Sequence, residues 1–308
     1  MEKILYISPV KFEQLEQRHQ LFASLLAESG RTVFFAEPPE SAFFGMKRKI
    51  VAERLIALKT SIPFKASNFP VLQKFASRLY FKLLLKKIGE HSEDLVLWTA
   101  NPVFSLGSAE YKWKAQIYDK CDLHGLFPGQ NREAFKLYDE TLFLLSDRII
   151  VSHPFIGSSM PERYKNKIEL VPNRPSREFL NTPVTTSPPD DGKTHFLSTG
   201  AHFEWIDFDW LKMIAQRPNS VLHIAGSGRG KDFESLIKMP GVVWHGRLSQ
   251  SDLAHLCDSC HVGLVPFKDM PLIKGVDPIK AKEYKARGLK VLAPFCGDGW
   301  WVACGELN

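Results

Sequence analysis

Short apolar runs with β character alternate with segments of helical periodicity along the whole chain of 308 residues. The first strand-like run covers residues 3–8, a helical segment follows at 14–29, and a second strand-like run covers 32–37. Strands that alternate with helices in this way form parallel sheets with crossover helices on their faces. The sequence therefore predicts an α/β protein built on parallel sheets.

A change of composition divides this alternation into two parts. Residues 174–193 are rich in Pro, Thr, Ser and Asp, which is typical of a linker. Before it we predict strands at 94–98, 115–118, 148–151 and 167–171 and a helix at 132–145. After it we predict strands at 196–199, 221–225, 242–245, 262–265 and 290–293 and a helix at 278–287. Two domains are expected, residues 1–175 and 193–308, with a ligand cleft at the carboxyl ends of their strands.

Positive charge is concentrated in residues 43–90. This segment contains eleven Lys and Arg and two acidic residues, whereas the whole chain has a net charge of +6. Aromatic and aliphatic residues lie between the charges, and this pattern suits contact with an anionic membrane surface. A pair of solvated amphipathic helices is the alternative. Nucleic acid is not an expected partner, because no nucleic-acid-binding module accompanies the charge.

The amino-terminal sequence and the cysteines bear on location. The first residues do not have the pattern of a secretory signal, and no apolar run is long enough to span a bilayer. We therefore expect a cytoplasmic protein that is peripheral at the inner face of the cell membrane. The five cysteines are then expected to be reduced. Cys257 and Cys260 are expected to pack within a helix rather than to bind zinc.

The strongest functional signal is the stretch 277–291, which reads DPIKAKEYKARGLKV. It resembles the Pro-x-Lys-x-x-Glu-Tyr-x-Ala-x-Gly-x-Pro-Val block of GT-B glycosyltransferases, in which the proline starts a helix whose amino terminus favours a diphosphate. The resemblance implies a donor site that contains Pro278, Lys280, Glu283 and Tyr284. Lys280 would contact the phosphates and Glu283 the ribose hydroxyls. A solvated amphipathic helix is the alternative.

Two other stretches resemble the second domain of the same family. Residues 198–207 match a strand-to-helix loop that faces the donor phosphates, which implies a donor-binding role for Gly200. Residues 245–248 match the segment beside the nucleobase and add Arg247 to the implied donor site. The Asp-Phe-Asp sequence at 207–209 has the form of a metal-binding D-x-D, but its position predicts a helix cap, and no metal site is expected.

The first domain carries the expected acceptor side. Residues 118–122 resemble a Tyr-Asp-x-x-Asp strand end of the family, where a carboxylate could act as general base for an acceptor hydroxyl. Asp122 is the first candidate and Asp119 the second, and a structural or helix-capping aspartate is the alternative. Arg18 lies in a stretch that resembles the Arg-rich first helix of a bacterial subgroup, which implies contact with the acceptor or a phosphate.

The resemblance covers almost the whole chain and implies the GT-B fold, with two Rossmann-like domains whose parallel sheets face a cleft. The implied activity is that of a hexosyl- or glycuronosyltransferase that uses a UDP- or GDP-sugar and no further cofactor. The implied acceptor is a lipid-linked saccharide or a surface polysaccharide precursor. Gly275 stands where retaining members carry a second Glu, which favours inversion. Because members continue with further helices, the C-terminal domain is expected to be incomplete at Asn308.

Two other functions are alternatives. A sugar-nucleotide epimerase of the same fold would need neither an acceptor nor a membrane-binding segment. A non-catalytic sugar-nucleotide-binding or membrane scaffold protein would bind the donor without turnover.

Overall fold

The computed structural model describes residues 2–13, 16–43, 45–63 and 66–294. The expectation of an incomplete C-terminal domain concerns the end of the chain, and residues 295–308 lie outside this description. The chain divides into two compact units, Met1–Pro172 and Asn173–Asn308. Each unit is an α/β structure with its own sheet.

The first unit is built from strands and helices in alternation. Its strands are β1 (Lys3–Ile7), β2 (Thr32–Ala36), β3 (Glu40–Ser41), β4 (Gly45–Ala52), β5 (Leu55–Ile62), β6 (Leu95–Thr99), β7 (Ala115–Lys120), β8 (Arg148–Val151) and β9 (Ile168–Leu170). Its helices are α1 (Arg18–Glu28), α2 (Pro70–Ile88), α3 (Ser105–Ser108), α4 (Arg132–Leu145) and α5 (Pro154–Ser158).

These strands form one sheet in the order β3-β5-β2-β1-β6-β7-β8-β9, and β4 pairs with β5 at the edge. All pairs are parallel except β4 with β5. Side chains of β1 alternate between the two faces, so that Ile4 and Tyr6 pack beneath α1, and Leu5 and Ile7 pack beneath α2. Because both faces are covered, β1 is buried almost throughout.

The basic segment, residues 43–90, does not consist of two amphipathic helices, which was the alternative expectation. Its first half is the antiparallel pair β4 and β5, and only its second half is a helix, α2. Five of the eight residues of β5 are buried, without a strict alternation, and β5 is held in the sheet by pairing with β2. Tertiary pairing therefore decides the structure here, which local periodicity does not reveal. None of the helices in the described ranges has the length and hydropathy to cross a membrane.

The second unit contains a five-stranded parallel sheet in the order β12-β11-β10-β13-β14 within the described residues. Its strands are β10 (Thr194–His202), β11 (Ser220–Gly228), β12 (Val242–Gly246), β13 (Val262–Leu264) and β14 (Lys290–Leu292). Its helices are α6 (Arg177–Asn181), α7 (Phe208–Ala215), α8 (Lys231–Leu236), α9 (Gln250–Asp258) and α10 (Ile279–Ala286).

The segment that was expected to be a linker is in part an ordered piece of the second unit. Phe179 of α6 is fully buried in the core of this unit. Arg287 Nη2 donates hydrogen bonds of 2.8 Å to the carbonyl oxygens of Phe179 and Thr182. A buried aromatic side chain within a Pro- and Ser-rich stretch is therefore enough to anchor it.

Candidate functional site

Two glycines lie near the carboxyl ends of neighbouring strands of the second unit. Gly200 of β10 pairs in register with Gly226 of β11, and their φ angles are +101° and +118°. A Cβ atom at Gly226 would lie 2.0 Å from the carbonyl oxygen of Gly200. Only glycine fits at Gly226, and its absence of a side chain leaves the backbone open at the carboxyl end of the sheet.

Helix α10 brings a lysine to the same place. Pro278 is the residue before the helix, and Lys280 lies in its first turn. A Cβ atom built on Gly200 would be 3.5 Å from Lys280 Nζ, so the amine lies against the end of β10. The same Nζ lies 5.2 Å from the centre of the Phe267 ring. The amine therefore faces apolar surface and backbone rather than bulk water.

Glu283 lies one turn further along α10 and is 6% exposed. Burial raises the pKa of its carboxyl to about 7, and the charge of Lys280 opposes this shift. Burial also lowers the pKa of Lys280 to about 8, against the charge of Glu283. Within the described residues, the Glu283 carboxylate forms no hydrogen bond, so it keeps all of its acceptor capacity. A cation and an acceptor on one helix face suit a ligand that has both phosphate and hydroxyl groups.

Tyr284 has a different position from the one that the resemblance implied. It is fully buried, and its hydroxyl oxygen accepts a 2.9 Å hydrogen bond from the Thr199 N–H. A Cβ atom at Gly263 would lie 2.2 Å from the Tyr284 ring, which shows how closely the ring lies against β13. Tyr284 fixes α10 on the sheet, and so it positions Lys280 and Glu283 rather than contacting a ligand.

A buried histidine in this region was not found by sequence reasoning. His202 ends β10, is fully buried, and its Nε2 lies 2.9 Å from Ser198 Oγ. Burial lowers its pKa to about 3, and the charge of Lys280 acts in the same direction. Its position two residues after Gly200 was the available signal. The remaining donor candidate, Arg247, is exposed and follows β12.

In the first unit the structure pairs two of the expected site residues with each other. Arg18 Nε and Nη2 donate to Asp119 Oδ1 at 2.9 and 2.8 Å, and both side chains are buried. Arg18 Nη1 donates to the Val171 carbonyl oxygen at 2.7 Å. Arg18 was expected to contact the acceptor or a phosphate, and Asp119 was the second candidate for the general base. In the structure the two residues instead join α1, β7 and the residue after β9. We assign both residues to the fold.

Asp122 lies in the loop that follows β7 and is half-buried. Burial raises the pKa of its carboxyl to about 6, while a hydrogen bond from Cys121 and the charges of Lys120 and Arg18 oppose the shift. A carboxyl group with this pKa can accept a proton near neutral pH. Of the two aspartates, Asp122 is the one whose side chain is not committed to a buried ion pair.

Two local predictions are confirmed. Asp207 caps α7, because its Oδ1 accepts a 2.9 Å hydrogen bond from the Trp210 N–H. Cys257 and Cys260 are buried and not joined in a disulfide. Their pKa values are raised by burial, which fits a packing role.

Solved structures with the same arrangement of elements include a sucrose-phosphate synthase (tll1590) from Thermosynechococcus elongatus. It is 15% identical, with a TM-score of 0.70 over 95% of this chain and 81% of that one. An E. coli trehalose-6-phosphate structure with bound UDP-2-fluoro glucose is 10% identical, with a TM-score of 0.65 over 96% and 85%. A UDP-N-acetylglucosamine 2-epimerase structure from Listeria monocytogenes gives a TM-score of 0.53 at 10% identity over 95% and 78%. The chain has the GT-B fold.

A protein that is similar in sequence indicates the activity class. TuaH of Bacillus subtilis (strain 168), which is assigned by name to teichuronic acid biosynthesis as a glycosyltransferase, is 23% identical over 91% of this chain and 77% of its own length. No protein-family model matches. The chain is a GT-B-fold glycosyltransferase. The prediction of the fold and of the activity class is thereby confirmed.

The expected site residues of this glycosyltransferase form two groups, one in each unit. In the second unit Lys280 lies against Gly200, and Glu283 lies one turn further along the same helix. Pro278 precedes this helix, and Tyr284 fixes it to the sheet. In the first unit Asp122 and the buried pair of Arg18 and Asp119 lie at the ends of β7 and α1.

Proposed function

We propose that this glycosyltransferase moves a sugar from a UDP- or GDP-sugar to a hydroxyl group of a lipid-linked saccharide or a surface polysaccharide precursor, without an obligatory metal ion. The observation that carries the proposal is the placement of Lys280 against Gly200 at the carboxyl end of β10, with Glu283 one turn further along the same helix. Ligands of α/β folds bind at this end of the strands. The bound UDP-2-fluoro glucose of the E. coli structure and the name of TuaH support the donor and acceptor classes.

The donor would be bound by the second unit. Backbone N–H groups at the start of α10 and the Lys280 amine would hold the diphosphate, since both favour negative charge. The Glu283 carboxylate would accept hydrogen bonds from the ribose hydroxyls. When the sugar leaves, negative charge develops on the diphosphate, and a cation already in place stabilises that charge without reorganisation. Lys280 would therefore act in catalysis as well as in binding.

The acceptor would be activated by Asp122 of the first unit. Its carboxylate would take the proton of the acceptor hydroxyl as the oxygen forms a bond to the anomeric carbon. The bond between that carbon and the diphosphate oxygen breaks with its electron pair on the diphosphate. Attack from the side opposite the leaving group inverts the anomeric configuration. Gly275, which carries no carboxylate, is compatible with this single displacement.

A surface of the first unit supports peripheral membrane binding. One side of α2 exposes the apolar residues Val71, Leu72, Phe75 and Leu79 and, in its second half, the basic residues Lys82 and Lys86. We call these six residues the α2 surface. Arg48 and Ile50 of β4 pair with Leu58 and Ile56, which pack beneath α2, so they lie on the same face of the sheet.

The α2 surface has the chemistry of a lipid interface. Phe75 is 53% and Leu72 is 51% exposed, and such side chains gain free energy when they enter the acyl boundary. Lys82 and Lys86 would contact anionic headgroups, each contributing about 1 kcal/mol. An acceptor with a lipid anchor would then be held at the same surface as the enzyme.

The donor site is tested by calorimetric titration of the full chain with UDP and with GDP. We expect saturable binding of one nucleotide that is weakened at least about tenfold by Lys280→Ala and by Glu283→Gln. Lys285→Ala is the matched control, because Lys285 lies on the exposed side of the same helix. Binding that is lost equally in all three variants, or absent in the folded wild-type chain, would refute the donor site.

The reaction is tested with the donor sugar and a lipid-linked acceptor. Transfer to the acceptor that Asp122→Asn reduces by about 100-fold or more, with nucleotide binding intact, is the expected result. Formation of an epimerised nucleotide sugar without an acceptor would support the epimerase alternative, which has structural neighbours of the same fold. Tight binding with neither product would support the scaffold alternative.

A further inference from the structure

Three metal-binding side chains meet at the carboxyl end of β7 in the first unit. Cys121, Asp122 and His124 follow the strand, and one donor atom of each lies within 4.8 Å of the other two. His19, in the first turn of α1, approaches the same thiol, with its Nε2 3.8 Å from Cys121 Sγ. Cys121 Sγ also lies 3.6 Å from Asp122 Oδ2. Two elements that are distant in sequence therefore converge on one thiol.

The two separations measured from the Cys121 sulfur are close to those of tetrahedral coordination. With bonds of about 2.3 Å to sulfur and about 2.0 to 2.1 Å to nitrogen and oxygen, two ligand atoms of a tetrahedral zinc ion are about 3.5 Å apart. The distances from Cys121 Sγ to its two neighbours differ from this by only a few tenths of an ångström.

One of the two histidines has a ring nitrogen without a partner in the part of the chain that the structure describes. His124 Nδ1 is buried and has no hydrogen-bond partner among the described residues. An unpaired buried nitrogen is costly unless it has another partner, and one nitrogen of this ring is among the clustered ligand atoms.

Hydrogen bonding orients His19 toward the thiol. Its Nδ1 lies 3.0 Å from the Tyr6 hydroxyl, and its Nε2 lies 3.8 Å from Cys121 Sγ. When the Tyr6 oxygen accepts the Nδ1–H, the lone pair of His19 is on Nε2, the nitrogen that faces Cys121. A hydrogen bond to the other ring nitrogen orients metal-bound histidines in the same way.

We infer that Cys121, Asp122 and His124 form a zinc(II) site in the first unit, with His19 beside the thiol. When Zn²⁺ binds, the Cys121 thiol loses its proton to solvent, and the thiolate and the Asp122 carboxylate balance the charge of the ion. Sulfur, imidazole and carboxylate donors together suit zinc better than magnesium or calcium. The neighbouring cation Lys120 is paired with Asp139, at 2.6 Å.

Zinc at this site would inhibit the enzyme. This consequence rests on the proposed function, since the ion would occupy the carboxylate that is proposed to accept the acceptor proton. The site is thus regulatory, and it does not supply an obligatory cofactor. Binding of zinc can be measured without any transferase assay, so the two proposals can fail separately.

The test uses the full chain after treatment with a chelator. Titration with Zn²⁺ against a chromophoric chelator should give one ion per chain, and Co²⁺ should produce the near-ultraviolet band of a thiolate ligand. Cys121→Ser should remove the Co²⁺ band and weaken Zn²⁺ binding by at least about tenfold, and His124→Gln should weaken it similarly. Circular dichroism checks that each variant is folded, and His124 is half-buried and tolerates the change.

Cys257 and Cys260 provide the control, because a C-x-x-C pair is a rival zinc ligand set. A Co²⁺ band that survives in Cys121→Ser and disappears in the double variant Cys257→Ala, Cys260→Ala would overturn the inference. So would Zn²⁺ binding that is unchanged in both Cys121→Ser and His124→Gln. Zinc that binds as expected and leaves transfer unaffected would support the site and would reject Asp122 as the base.

Discussion

The Asp119 carboxylate and the Arg18 guanidinium form an ion pair in the interior of the first unit, with 2.8 Å between Oδ1 and Nη2 and side-chain exposures of 0% and 4%. The two residues are 101 positions apart in sequence. Arg18 also donates to the Val171 carbonyl oxygen, so that one side chain connects three elements at the carboxyl edge of the sheet. The pair therefore fixes the end of β7, and Asp122 lies in the loop that follows this strand.

Removal of one partner should destabilise the protein strongly. Arg18→Met leaves an uncompensated charge on buried Asp119, and the free energy of unfolding should fall by about 3–5 kcal/mol. The double variant Arg18→Met, Asp119→Leu should lose less than the sum of the two single variants, because no buried charge remains. Urea unfolding of the four proteins measures this coupling. Additive effects, or a loss of activity with stability unchanged, would contradict the structural role.

Gly226 should not tolerate even alanine. The added Cβ would lie 2.0 Å from the Gly200 carbonyl oxygen, and φ is +118°, so the end of β11 must move. We expect a loss of about 2 kcal/mol or more in the free energy of unfolding, together with weaker nucleotide binding. Gly230→Ala is the control, because φ is +90° there and no atom lies within 4 Å. Equal losses in the two variants would show that the backbone angle alone matters.

Elements with strong local signals could be predicted from the sequence. The predicted bounds of α4 and β8 coincide with the observed Arg132–Leu145 and Arg148–Val151. In α4, Asn131 caps the first turn, and the buried residues fall on one face. Local propensity and tertiary packing agree in such elements, so periodicity is enough.

What could not be predicted depends on partners that are far away in sequence. The β4–β5 pair is stabilised by pairing with β2, which no local pattern in residues 45–62 reveals. The resemblance pointed to Lys280 and Glu283, and the structure brings both to one site. It could not reveal that Arg18 forms a buried ion pair with Asp119, or that Tyr284 is buried between α10 and the sheet. A motif gives the positions of residues in the sequence and does not show which side chains are buried.

A chain of three histidines should make the second unit sensitive to acid. His195 Nδ1 lies 2.9 Å from His223 Nε2, and His223 Nδ1 lies 2.9 Å from His245 Nε2. Asp191 lies 3.3 Å from His195 Nε2 and can only accept, so His195 carries its proton on Nε2. Its Nδ1 must then accept from His223 Nε2–H, and His223 Nδ1 must accept from His245 Nε2–H. A second proton on His223 would make its Nδ1 a donor, so that it would face the Nε2–H of His245 and the hydrogen bond between them would be lost.

Burial lowers the pKa of His223 to about 4, so the unfolded chain binds more protons than the folded one between pH 6.5 and 4. Its stability contribution is present above pH 6.5 and is lost as the pH falls. His223→Phe should cost about 1–2 kcal/mol at pH 7.5, and this difference should shrink toward pH 5. Urea unfolding at several pH values measures it, with exposed His91→Phe as the control. If the difference in unfolding free energy between His223→Phe and the wild type does not vary with pH, the three hydrogen-bonded histidines do not make the unit sensitive to acid.

Binding to anionic vesicles should depend on the α2 surface. Lys82→Glu should weaken binding to phosphatidylglycerol vesicles by about fivefold or more, and the pair Leu72→Ser, Phe75→Ser should weaken it at low and at high salt. Lys136→Glu and Leu137→Ser are matched controls, because these exposed residues of α4 belong to the same unit. Vesicle sedimentation provides the measurement. Equal losses in the controls would show that net charge or hydrophobicity, and not this surface, governs binding.

Nucleotide binding should take up a proton at alkaline pH. The pKa of Lys280 is lowered to about 8 by burial, so at pH 9 its amine is mostly neutral in the free protein. A diphosphate beside it favours the charged form and should return the pKa toward its ordinary 10.5. At this pH Glu283, whose pKa is about 7, is already charged and adds no proton of its own. Binding should therefore take up about one proton, and affinity should fall by about tenfold per pH unit above pH 8.

Calorimetry at pH 9 in two buffers with different heats of ionisation measures this uptake. Lys280→Arg separates charge from proton linkage, because a guanidinium stays protonated at this pH. It should bind the nucleotide with no proton uptake and with an affinity that does not fall between pH 8 and 9.5. Lys285→Ala should behave like the wild-type protein. If Lys280→Arg takes up the same number of protons as the wild type, another group carries the linkage, and Lys280 does not meet the diphosphate.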